Sequence, residues 1–92
     1  MIDAPIRFQP GTVVATIGAM RVATPHQLRL LLDRHVRGDW GDVCEDDREA
    51  NEEALKHGSR VFSSYIIESG EKLWVITEAS RQQTTVLTPG EY

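Results

Sequence analysis

Lys72-Leu73-Trp74-Val75-Ile76-Thr77-Glu78 is the stretch that decides the fold. Leu73 to Ile76 places apolar groups on both alternating sets of positions, so it predicts a strand covered on both faces and flanked by neighbours. Before it, Ser69-Gly70-Glu71 turns the chain out of a second strand, Arg60 to Glu68. After it, Ala79-Ser80-Arg81 leads to Thr84-Thr85-Val86-Leu87-Thr88, and Pro89-Gly90 stops that run. Connections this short predict an antiparallel meander.

Further out lie helices. Thr24-Pro25-His26-Gln27 is a helix start: Thr24 caps, Pro25 suits the first turn, and Gln27 completes a capping box. Leu28, Leu31, Leu32 and Val36 then repeat at helical spacing, with Leu30 at the stripe's edge. Gly38 supplies a left-handed stop, which predicts a helix over residues 25–37. Asp42-x-x-Glu45 reads as a second capping box, and Lys56, His57 and Gly58 end the helix that follows. Near the N-terminus, Pro10-Gly11 opens a β-branched run from Thr12 to Ile17, a further strand closed or bulged at Gly18. The expectation is an α+β fold of order β-α-α-β-β-β, with two helices packed on one face of a small antiparallel sheet. Ninety-two residues make one domain over 1–92.

Charge is unevenly spread. From Asp39 to Glu53, eight of fifteen residues are acidic and Arg48 is the one base, a formal −7. The rest carries nine bases against six acids, so the net −4 is an acidic band beside a mildly basic remainder. A pI near 5.2 argues against direct nucleic-acid binding, which normally needs a basic face. No stretch approaches the roughly 20 apolar residues of a membrane span. With no secretory signal and a single cysteine, Cys44, the expected location is cytoplasmic.

Three kinds of site are legible. Asp39, Asp42, Asp46 and Asp47 are hard oxygen donors, but their spacing is not that of a calcium loop, and no metal is expected. The histidines His26, His35 and His57 lack zinc-ligand spacing, and no cofactor-binding glycine loop is present. The second kind is a binding surface of Asp39, Trp40, Asp42, Asp46, Asp47, Glu49, Asn51 and Glu52, for a protein partner with a basic surface. Trp40, between Gly38 and Gly41, is expected either to anchor the inter-helix loop or to serve as an interface hot spot. The third is a ribonuclease constellation of the small bacterial toxin type, in which His35, Arg60, Tyr65 and Thr85 would perform general acid–base chemistry.

The stretch from His35 to Asp42, with Asp47, Asn51, Gly58-Ser59-Arg60, Ser64, Tyr65, Thr77-Glu78 and Thr84-Thr85, resembles a group of short bacterial proteins of plasmids and integrated mobile elements. Some of these carry labels as restriction–modification subunits. The resemblance covers about Gln27 to Tyr92. It implies a mobile-element setting and names no chemistry. Ninety-two residues without a cofactor-binding glycine pattern are too few for a methyltransferase subunit. The leading expectation is a small non-catalytic accessory protein acting through its acidic helix and Trp loop, with the ribonuclease as alternative. A homodimer joined by an uncovered sheet face, or by an edge strand near residues 84–88, is a third.

Overall fold

The computed structural model describes residues 4–92. Four strands, β1 (Thr12–Ala15), β2 (Val61–Ile66), β3 (Lys72–Thr77) and β4 (Gln83–Leu87), form one sheet in the order β1-β4-β3-β2. Helices α1 (Ile17–Val22), α2 (Pro25–Val36) and α3 (Glu45–His57) lie between β1 and β2 in the chain, and a 3-10 turn, Pro89–Glu91, closes it. The α+β architecture and the antiparallel β2–β3–β4 meander follow the sequence expectation.

The sheet is mixed rather than antiparallel, because β1 runs parallel to β4. Short connections determine the meander, but nothing local determines β1, whose partner lies some seventy residues away. For the same reason the segment near 84–88 is not an edge: β4 is enclosed by β1 and β3. The edges are β1 and β2.

Strand alternation sorts the side chains. Val61, Ser63 and Tyr65 of β2 stand beside Thr77, Val75 and Leu73 of β3, and Thr84 and Val86 of β4 continue two of these rows. This inner face is buried beneath the helices. Ala19 and Ala23 at α1, and Leu31 from α2, close over Tyr65, Leu73, Val75 and Val86. Ala54 from α3 joins Trp40 and Val61 in a second cluster. On the outer face Phe62 and Trp74 meet edge to face at 5.1 Å, and Tyr92 packs on Trp74 at 5.7 Å.

Helix α1 was not anticipated. The expected strand through Ile17 stops at Ala15 because Thr16 turns the chain, its Oγ1 accepting from the Ala19 N–H at 3.1 Å. Glu91 holds that corner from the far end of the chain. Its carboxylate accepts from Thr16 Oγ1 at 2.5 Å and from the Gly18 N–H at 2.9 Å. These bonds and those from Thr88 keep its carboxyl at about 2, well below the usual range.

The start of α2 is as expected, with both capping-box bonds between Thr24 and Gln27 present. The start of α3 is not. Cys44, without a side-chain cap bond, occupies the N-cap, and Asp42 instead donates its backbone N–H to the Ser64 carbonyl at 2.6 Å. Asp42 thus belongs to a loop laid along β2, where the Ser64 N–H also reaches the Trp40 carbonyl at 3.1 Å.

Candidate binding surface and the closed cluster beneath it

The α2–α3 loop is built by two left-handed glycines. Gly38, at φ +85°, ends α2, and the Asp39 N–H returns to the Arg34 carbonyl at 2.9 Å. Gly41, at φ +74°, bridges to Ser64, and a Cβ there would collide with the Ser64 carbonyl and the Tyr65 ring. Between them Trp40 is driven inward and is 1% exposed. Its Nε1–H donates to Glu52 at 3.1 Å. Phe8 stacks on the indole, and His35 meets it edge-on at 5.8 Å. Trp40 is therefore an anchor and not a contact surface. Asn51 is likewise buried, pairing with the Phe62 backbone through both its amide groups at 2.7 and 3.0 Å.

Two more residues of the expected surface are neutralised internally. Arg7 grips Glu52 with two bonds at 2.8 and 2.9 Å, and these, with the Trp40 bond, lower the Glu52 carboxyl to about 2. Arg34 binds Asp39 at 2.6 Å and lowers its pKa. What stays outward is Asp42, Asp46, Asp47 and Glu49. All four are exposed, and among the described residues none has an ion-pair partner. Asp46, Glu49 and Glu53 recur at i, i+3 and i+7, opposite the Asn51 and Ala54 that dock α3 on the sheet. Glu53 makes exposed pairs with Lys56 at 3.5 Å and His57 at 3.3 Å.

The proposed catalytic set does not converge. His35 is wholly buried on the inner face, bonded to Ser63 Oγ at 2.5 Å and Thr77 Oγ1 at 2.9 Å. Thr77 Oγ1 meets Thr84 Oγ1 at 2.6 Å, and Thr84 donates to the Pro10 carbonyl at 2.8 Å. Because that carbonyl can only accept, each proton in the chain has one consistent place. Thr84 donates to Pro10, Thr77 to Thr84, His35 Nε2–H to Thr77, and Ser63 to Nδ1. The imidazole is neutral. Burial, then the nearby Arg81 charge, pushes its pKa down to about 3.

Tyr65 spends its hydroxyl on the Asp39 carbonyl at 2.6 Å, and burial pushes its phenol up. Thr85 is on the outer face, in register with Ile76. Arg60, just before β2, lies 5.8 Å from the centre of the Tyr92 ring. The sheet thus stands between the two halves of the constellation. Among the described residues no buried side-chain polar atom lacks a partner, and no three His, Cys, Asp or Glu residues are placed to share a metal.

Two arginines whose bonding the sequence does not reveal hold this region together. Arg7 ties the N-terminal segment to α3, and its N–H reaches the Val36 carbonyl at 2.8 Å. Arg81, left-handed at φ +63°, donates to the carbonyls of Ser59 at 2.6 Å, Glu78 at 3.0 Å and Ala54 at 3.2 Å, and lies over Phe8. The turn at Arg81 is legible locally, but the distant partners of both arginines have no local signature. The hydroxyls of Ser63, Thr77 and Thr84 did have one: at inward strand positions they need a buried polar partner. Comparisons with known protein families, curated proteins and solved structures find no match to this chain.

Proposed function

We propose that this protein is a small non-catalytic binding protein, in the setting of an accessory factor of a mobile element. It docks through the outer surface of α3 onto a basic surface of a partner protein. The observation that carries the reading is the division of the acidic band. Asp39 and Glu52 are held by arginines of the same chain, whereas Asp42, Asp46, Asp47 and Glu49 face solvent without a counter-charge. Trp40 and Asn51, buried behind them, hold the backbone that carries these carboxylates.

A band of exposed carboxylates presents the charge sign of a phosphate backbone, so a nucleic-acid-binding groove on another protein is one fitting counterpart. Occupying such a groove would make the protein a DNA mimic. The ribonuclease alternative has no observation in its favour, since its histidine is closed off from any substrate.

Capture of host proteins on the immobilised chain tests the proposal. Retained partners should be basic, released by high salt and displaced by duplex DNA. Joint replacement Asp46→Asn, Asp47→Asn and Glu49→Gln should abolish retention. Capture that ignores salt, or survives the triple replacement, refutes the electrostatic reading.

A further inference from the structure

The two edges of the sheet are treated differently. Along β2, the loop backbone at Trp40 and Asp42 bonds to Ser64 and covers part of the edge. Along β1, among the described residues, no backbone is laid on the outer side. The Thr12 N–H bonds to the Gln82 carbonyl and the Thr16 N–H to the Val86 carbonyl, so the even positions of β1 face β4. Alternation along a parallel ladder then turns the N–H and C=O of Val13 and Ala15 outward. Edges of this kind are ordinarily blunted by a charge, a proline, a bulge or brevity, and β1 has only the last, at four residues. Here Phe8 to Met20 is the longest uncharged stretch of the chain, and Pro10 lies before the strand and not on it. Val13 and Val14 are 42% and 38% exposed, and the adjoining Ile17 and Met20 are 63% and 57% exposed.

We infer that β1 pairs antiparallel with β1 of a second copy of this chain, about a two-fold axis at Val14. The strand fits itself in this register. Outward groups at Val13 meet those at Ala15 of the copy, and the reverse, giving about four hydrogen bonds across the axis. Val14 then faces its own counterpart as a non-hydrogen-bonded pair, with Cα atoms about 4.5 Å apart. A self-matching strand at a two-fold is an isologous interface, and the two sheets merge into one. Charge also favours the arrangement. The acidic α3 packs on β2, at the opposite end of the sheet from β1. Joining copies through β1 therefore keeps the two acidic helices as far apart as the sheet allows. The inference is independent of the α3 reading: pairing at β1 is apolar and backbone-mediated, and so insensitive to salt.

Light scattering on the full chain should give twice the 10.3 kDa chain mass, unchanged by high salt. Val14→Lys sets like charges face to face at the axis and should weaken association at least tenfold, with the circular dichroism spectrum retained. If that variant unfolds, cross-linking decides. Mild oxidation of the double variant Cys44→Ser, Val14→Cys should produce a covalent dimer, whereas Cys44→Ser, Thr12→Cys should not, because position 12 faces position 16. Single-chain mass at every soluble concentration overturns the inference, including the case in which β1 takes an extended peptide of another protein. A dimer that does not cross-link at position 14 overturns it as well.

Discussion

Helices α2 and α3 lie on the same sheet and do opposite things. Helix α2 sends Leu31, His35 and Val36 into the core and ends in a loop whose tryptophan is buried. Helix α3 buries only Asn51 and Ala54, and leaves most of its charge in water. Stability is thus concentrated in α2 and its loop, while the negative potential sits on an element whose outer face contributes little to the fold. A surface can be reshaped by charge without loss of structure only where the two are separated in this way.

The contrast predicts a graded set of effects. Trp40→Ala should be the most damaging, at about 4 kcal/mol, since it empties the space between Phe8, His35 and Val61 and removes one of the donors to Glu52. Urea unfolding measures it. An effect below about 1 kcal/mol would mean the loop does not anchor the fold.

His35→Ala follows at about 3 kcal/mol, because Ser63 and Thr77 lose their partner in a buried site. The same histidine sets an acid response. Its pKa is about 3 in the folded protein against 6.5 unfolded. The unfolded chain therefore binds the proton first, and stability falls as pH drops below 6.5. The loss should reach about 3 kcal/mol by pH 4. Glu52 and Glu91, both held near 2, add to the loss only below their ordinary value of 4.5. Stability of His35→Gln should consequently be flat from pH 6.5 to about 5. A wild-type slope surviving in that variant would locate the titration elsewhere.

Arg81→Ala should cost about 2 kcal/mol by withdrawing charged donors from the carbonyls that end α3 and the β3–β4 turn. Part of that cost is offset at Arg81→Gly, which relieves the left-handed backbone. The smallest effect belongs to α3. Replacing Asp46, Asp47 and Glu49 by their amides should change stability by less than about 1 kcal/mol, most of it from lost interaction with the helix dipole at the first turn. Thermal unfolding of that triple variant at the wild-type midpoint, together with lost partner capture, would sharpen the division between the helices. A large destabilisation would erase it.

Much of the architecture was legible because its signals are local. The Thr24 capping box, the Leu28–Val36 stripe, Gly38 and Gly58, and the turns at Gly70 and Arg81 each act within a few residues. Helix α1 escaped notice because Thr16 suits a strand and a cap equally, and the bonds that settle it come from Glu91. Asp42 was misassigned as a cap for a related reason: its backbone answers to Ser64 across the loop, not to the helix after it. Of the expected binding surface, the exposed carboxylates could be read from charge alone. The burial of Trp40 and Asn51 and the neutralisation of Asp39 and Glu52 could not.

Composition and local pattern by themselves determined the α+β class, the meander, the span of α2 and the presence of an acidic band, since hydrophobic period, capping and turn chemistry act over one or two turns of chain. Tertiary structure alone decided that β1 runs parallel beside β4, that His35 is a closed core group, and which carboxylates face water. Each of those outcomes depends on residues such as Arg7, Pro10, Ser63 and Glu91 meeting partners dozens of positions away, where desolvation and hydrogen-bond geometry, not sequence spacing, set the result.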